Sequence, residues 1–263
     1  MAPSDKKVII VTGASRGIGL TIAEYLVKAS HNVVLVSRSE GQLKELKAQF
    51  PSQIAHLVAD MTSSDTASKV ANLAVKTFGK IDGVAINHGI VTPMTRIENS
   101  SIDEWKALYD VNFFSALALV KETIPHLRAS KGKFIITSSG AASHAYSSWG
   151  AYGSSKAAIN SLVQHIAVEE PEIVTVALDP GRTDTDMQKE IREQGAPGNA
   201  MTEADYANFK AAFENGQLNR PEWPGHVIAK LTLGAKSEFS GKCLKWNGPE
   251  FVELGSSGYL KSS

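Results

Sequence analysis

The sequence predicts a single α/β domain: a doubly wound, seven-stranded parallel sheet with helices on both faces. Short apolar runs rich in β-branched residues alternate with longer stretches of helical periodicity, as repeated βαβ units require. Most of the runs are apolar on successive residues, as strands covered on both faces should be. A glycine-rich turn separates the first run from the first helical pattern.

The expected strands are 7–12, 32–37, 54–58, 83–86, 133–137, 173–178 and 242–246. Between them Ile18, Ile22, Leu26 and Ala29 recur at helical spacing, as do Leu108, Val111, Phe114, Leu117 and Ala118 in a long segment over 101–127. Over 151–168, Ala157, Ala158, Ile159, Leu162, Val163, Ile166 and Ala167 cover more than one stripe, so one face suits the sheet and another a neighbouring subunit. An oligomer is therefore the expectation. No internal repeat or low-complexity linker divides the chain, and residues 1–263 read as one domain. The irregular stretch 182–219 carries Gly195, Pro197, Gly198 and Gly216 with a helical pattern over 204–213. It reads as a substrate lid, with a plain surface insertion as the competing reading. Residues 256–263 read as a frayed tail.

Composition narrows the class. Apolar residues make up 43% and charged residues 21% of the 263, which fits a folded soluble protein. Lys plus Arg (27) balance Asp plus Glu (27), so no summed field draws the molecule to nucleic acid or an anionic membrane, and bound phosphates must be held locally. No apolar run approaches a membrane span, and the N-terminus moves from a short polar lead straight into a strand without the pattern of a secretory signal. A cytoplasmic location follows as the expectation. The single cysteine, Cys243, cannot form an internal disulfide and reads as an inert, packed thiol. No metal site is expected.

The run Thr12-Gly13-Ala14-Ser15-Arg16-Gly17-Ile18-Gly19 sits between the first strand and the first helix. Glycines there let the backbone turn sharply and approach a diphosphate, while the helix N-terminus adds partial positive charge. This is the arrangement of a Rossmann-type nucleotide site; an ordinary tight turn is the bland alternative. The cofactor can be read too. An NAD site usually ends its second strand on an acid that binds the ribose hydroxyls, whereas the second strand here ends Val36-Ser37-Arg38-Ser39. Arg16 and Arg38 together suit the extra phosphate of NADPH, against the alternative of two solvated arginines.

Taken with Asp60, Asn87, Gly89, Asn112, Ser139, Tyr152, Lys156 and Pro180-Gly181, this loop resembles the short-chain dehydrogenase/reductase family, in its subgroup with the TGxxxGxG loop and the YxxxK motif. The resemblance spans nearly the whole chain and implies reduction of a carbonyl, with hydride from the nicotinamide and a proton from a positioned acid. Tyr152 is that acid. Lys156, four residues on and on the same helical face, is expected to draw its pKa from about 10 toward the working pH. The resemblance assigns Ser139 to the substrate oxygen, with Ser138 as competitor, and Asn112 to a water that links Lys156 to solvent. The competing role for Asn112 is that of a helix-bending residue satisfied by backbone. Asp60 matches the adenine contact, Asn87 and Gly89 the stretch after the fourth strand, and Pro180, Gly181, Thr183 and Thr185 the segment that receives the nicotinamide end. At Ile86-Asn87-His88-Gly89 the chain departs from the family's NNAG, and His88 either fills space or touches substrate.

Within the family, the sequence around Tyr152, the VEEPEI segment and PGRTDTDMQ look like sepiapterin reductase and the fungal benzil reductases. Both imply a small-molecule carbonyl substrate with vicinal carbonyls. Sepiapterin reductase anchors its pterin through an acid near the C-terminus, where this chain reads Cys243-Leu244-Lys245-Trp246-Asn247. A reductase of bulky, apolar ketones or α-diketones is therefore favoured over a pterin reductase. Ala141, Tyr146, Trp149 and Met187 are pocket candidates. A non-catalytic NADP-binding regulator is the alternative from another class.

Overall fold

A computed structural model describes residues 6–196 and 200–254. In chain order the elements are β1 (Val8–Thr12), α1 (Gly17–Lys28), β2 (Asn32–Ser37), α2 (Gly41–Gln49), β3 (Ile54–Val58), α3 (Thr66–Phe78), β4 (Gly83–Ile86), α4 (Ile102–Tyr109), α5 (Ser115–Ser130), β5 (Lys133–Thr137), α6 (Gly150–Glu169), β6 (Val174–Asp179), α7 (Asp186–Gln194), α8 (Glu203–Glu214), α9 (Glu222–Gly234) and β7 (Cys243–Lys245). The seven strands form one sheet in the order β3-β2-β1-β4-β5-β6-β7, and every neighbouring pair is parallel. Val11 pairs with Leu35 on one side and Ala85 on the other, so the chain reverses its winding between β1 and β4. Such a switch point opens a crevice at the carboxyl ends of the strands.

Two apolar layers cover the sheet. On one face Ile9, Val11 and Leu35 pack with Ile22, Leu26 and Ile228 of α1 and α9. On the other Ile10, Val34 and Phe134 pack with Val70, Leu119 and Ile159 of α3, α5 and α6. This is why the strands lack polar alternation. Phe134 is fully buried at the centre of the second layer. Phe134→Ala should therefore cost about 3–5 kcal/mol in a urea melt, and a loss below about 1 kcal/mol would contradict this core.

The structure departs from the sequence reading in three places. The long helical segment over 101–127 is two helices, starting after the Ser101 cap and joined by a π-helical turn at Asp110–Phe114. Side-chain periodicity cannot register one inserted residue, since the apolar stripe resumes on the far side. Cys243 is exposed, because β7 is the edge strand; partial burial still pushes its thiol pKa up, so it is no activated thiolate. The stretch 182–219 is largely helical, holding α7 and α8, with Thr183 and Asn219 bridged at its base. Pro197, Gly198 and the 256–263 tail lie outside the described residues.

Candidate active site

A cleft of about 1190 Å³ opens above the β1/β4 switch point and runs from the glycine turn to α8. At one end the turn is held close to the sheet by two steric facts. Gly13 has φ +65°, and a Cβ there would lie 3.0 Å from the His88 backbone. A Cβ on Gly19 would lie 2.1 Å from the Gly13 carbonyl oxygen, so the loop closes only on glycine. Ser15, Arg16, Gly17 and Ile18 line the same end, where α1 begins with no side-chain cap. Unused amides over a surface that admits no side chain fit a diphosphate.

Beside this cradle, Arg38 follows β2 and lines the cleft with Asp60. Thr62 donates its backbone N–H (2.9 Å) and hydroxyl (2.8 Å) to Oδ1 of Asp60. Those bonds, with a smaller contribution from the Arg38 charge, hold the Asp60 carboxyl below its ordinary pKa despite partial burial. Arg16 has a partner of its own. It forms an ion pair of 2.6 Å with Asp186, the first residue of α7, and both side chains are well exposed. Exposed pairs of this kind are worth at most about 1 kcal/mol, so Arg16 is readily released.

The middle of the cleft gathers residues from four elements. Asn87 donates its backbone N–H to Thr12 Oγ1 (3.0 Å), and its Oδ1 accepts from Thr137 Oγ1 (3.1 Å). A Cβ on Gly89 would stand 3.1 Å from Asn112 Oδ1 and 3.5 Å from Lys156 Nζ, so the missing side chain leaves room for both the amide and the ammonium. Asn112 lies in the π-helical turn and is buried. Its Oδ1 accepts from Ile90 N–H (2.8 Å), and its Nδ2 donates to Ile90 O (2.8 Å) and Ser155 Oγ (3.2 Å). The two serines after β5 diverge. Ser138 is buried and donates to Asn160 Oδ1 of α6 (2.6 Å), whereas Ser139 lines the cleft and its hydroxyl accepts from Ala141 N–H (3.2 Å).

Tyr152 and Lys156 stand on the buried face of α6, one turn apart. Lys156 donates to the Thr137 carbonyl oxygen (2.9 Å), with its ammonium 5.9 Å from the Tyr152 ring centroid. Burial pushes the lysine pKa down to about 8. The phenol moves the opposite way from the sequence expectation. Burial pushes Tyr152 up to about 12; Ser139 opposes this by hydrogen bonding, and the Asp179 charge adds to it. Desolvation dominates because the tyrosine is buried and packs edge-on against Trp149, 5.5 Å away, in a largely apolar corner.

That corner is the far wall. Ala141, Tyr146, Trp149 and Met187 join Tyr152, Met201 and Phe209 in one apolar cluster. Phe209 of α8 packs on Tyr146 (5.2 Å) and Trp149 (5.0 Å), and the Arg182 guanidinium lies over the Phe209 ring, 4.6 Å from its centroid. Across the cleft, Gly181 turns with φ +64°, Thr183 donates to Pro180 O (2.9 Å), and Thr185, just before α7, donates its hydroxyl to Thr183 O (3.2 Å). Helix α7 is tied to both rims, through Arg16 and through Thr92 Oγ1, which donates to Glu190 (3.2 Å). Sequence reasoning did not single out Phe209, Asp179, Thr137 or Asn160. All are brought in by long-range packing, and only Phe209 left a trace, in the 204–213 helical pattern. His88 has no ring nitrogen left for a substrate, since Nδ1 meets Thr12 Oγ1 and Nε2 meets Ser115 Oγ.

Comparison with known proteins agrees with this geometry. The short chain dehydrogenase family model matches residues 7–196. An uncharacterized oxidoreductase of Saccharomyces cerevisiae is 39% identical over 251 residues, covering 94% of this chain and 98% of its own length. A short-chain dehydrogenase/reductase crystal structure from the same yeast superposes with a TM-score of 0.91 at 39% identity, over 94% of this chain and 98% of that one. An (S)-benzoin-forming benzil reductase of S. cerevisiae is 35% identical over 253 residues, 92% of this chain and 96% of the relative.

Proposed function

Because the chain belongs to the short-chain dehydrogenase/reductase family, and so is an oxidoreductase, we propose that it uses NADPH to reduce one carbonyl of a bulky aromatic ketone or α-diketone to the alcohol. The observation that carries this reading is the convergence of Ser139, Tyr152 and Lys156 between a glycine cradle and an aromatic wall. A bound nicotinamide dinucleotide supplies the hydride. The cradle of Gly13, Ser15, Arg16, Gly17, Ile18 and Gly19, with Asp60, Asn87, Gly89, Pro180, Gly181, Thr183 and Thr185 along the cleft, holds it. Ser139 donates a hydrogen bond to the substrate oxygen, and Tyr152 delivers the proton from its hydroxyl as negative charge develops there. A phenol kept protonated by burial is a ready donor throughout the neutral range.

Lys156 then decides the alkaline limit. Its ammonium stabilises the phenolate that remains and restores its proton, with Asn112 ordering the path to solvent. With its pKa down at about 8, the cation is present below that pH and lost above it. The rate of reduction should therefore fall above about pH 8 rather than near 12, and a profile flat to pH 10 would remove this role.

What supports the substrate class is the wall of Tyr146, Trp149 and Phe209, together with Lys245 lining the cleft where a pterin anchor would be acidic. The benzil reductase relative points the same way. Benzil, a second aromatic diketone and sepiapterin assayed side by side with NADPH and NADH test it; clear preference for sepiapterin would replace the diketone reading with a pterin one. Helices α7 and α8 act as the substrate lid. No helix among the described residues is long and apolar enough to cross a membrane. We place the enzyme in the cytoplasm as a dimer or tetramer through α4, α5 and α6, whose margins expose Ile102, Phe114 and Val168, and sedimentation reads the assembly.

A further inference from the structure

The segment after β4 contains a chain of hydrogen bonds that the reduction itself does not use. Asn87 N–H donates to Thr12 Oγ1 (3.0 Å), and Thr12 Oγ1 lies 2.6 Å from His88 Nδ1. On the other side of the ring, His88 Nε2 lies 2.7 Å from Ser115 Oγ, which donates to the Val111 carbonyl oxygen (2.7 Å). The direction of every proton follows from the last link. A carbonyl oxygen only accepts, so the single Ser115 hydroxyl proton goes to Val111. Ser115 Oγ must then accept from the ring, which makes Nε2 the protonated nitrogen. Nδ1 is left bare and accepts from Thr12, whose own oxygen is already serving the Asn87 amide.

The neutral ring is the only form that satisfies all of these groups. A cationic His88 would aim Nδ1–H at Thr12 Oγ1 and leave the Thr12 proton without an acceptor. Burial and the Lys156 charge both disfavour the cation, outweighing Asp60 and the Val111 carbonyl, and push the pKa down to about 4.

Ser115 is where this chain meets the site. It ends the π-helical turn Asp110–Phe114, and its backbone N–H reaches Asp110 O, five residues back. In an α-helix that amide would go to Val111 O. Here the Ser115 hydroxyl goes to Val111 O instead, and its oxygen can accept the His88 proton at the same time. The turn so held carries Asn112 inward to Ile90, beside Gly89 and Lys156.

We propose that His88 is a positioning residue: with Ser115 it fixes the π-helical turn and so holds Asn112 in register with Lys156. The family's small residue at this place offers no ring to reach Ser115, so the lock belongs to chains that pair a histidine here with a hydroxyl at the end of the turn. This rests on the reading of Asn112 and Lys156 as the proton path, and the test separates the two.

Nitrogen shifts of labelled wild-type protein at about pH 7 should show His88 neutral with Nε2 protonated. His88→Ala and Ser115→Ala should each lower kcat for benzil about ten-fold, leave KM for NADPH within about two-fold, and combine without further loss in the double variant. Melting curves exclude unfolding as the cause. The Asn112 side-chain amide signal should shift in Ser115→Ala, a small deletion that leaves the core filled. A protonated Nδ1, undiminished kcat in His88→Ala, multiplicative losses in the double variant or an unmoved Asn112 signal would each overturn the lock. If the wild type consumes no NADPH with any carbonyl, the proposed function fails, while the tautomer and the Asn112 signal still decide the lock.

Discussion

Tyr152→Phe should lower kcat for benzil about a thousand-fold while NADPH affinity stays within about two-fold of the wild type. The ring that packs against Trp149 at 5.5 Å is kept, so the aromatic wall and the fold are preserved. What is lost is the one buried hydroxyl acid facing Ser139 in the cleft. Without it, charge growing on the substrate oxygen has no positioned acid to take a proton from. Lys156 keeps further N–H groups besides the one given to the Thr137 carbonyl, 2.9 Å away, but in this mechanism its proton reaches the substrate oxygen only through the phenol. Stopped-flow NADPH oxidation and fluorescence titration give the two numbers separately. Turnover unchanged in this variant would remove the mechanism, and tight NADPH binding with no turnover in the wild type would favour a regulator.

Arg38→Asp should reduce kcat/KM with NADPH about a hundred-fold and leave NADH turnover equal or improved. A charge-assisted contact to phosphate is worth about 1.5–3 kcal/mol, and the introduced carboxylate adds repulsion. The same carboxylate resembles the acid that binds ribose hydroxyls in NAD sites, so NADH is not penalised. Arg16→Ala should act in the same direction but more weakly, because Arg16 is shared with Asp186 at 2.6 Å. Preference for NADPH surviving Arg38→Asp would show that the extra phosphate is bound elsewhere.

Much of this was legible in the sequence because it is local. The runs at 32–37, 54–58, 83–86 and 133–137 coincide with β2, β3, β4 and β5, since short, largely apolar stretches rich in β-branched residues between helical patterns suit buried strands. Tyr152 and Lys156 share a face of α6 because their spacing is one helical turn. The divergence of Ser138 and Ser139 follows the alternation of an extended chain. The π-helical turn was not legible, because it changes hydrogen-bond register without disturbing apolar periodicity.

The sequence alone determined the order of strands and helices, the glycine turn, and which side chains share a helical face, all set by backbone sterics and periodicity over a few residues. Only the tertiary structure decided the protonation of Tyr152, Lys156 and His88, the exposure of Cys243, and the partner of Arg16, 170 residues away in the chain. Desolvation and charge pairing depend on what distant segments pack around a group, and that is known only once the chain has closed on itself.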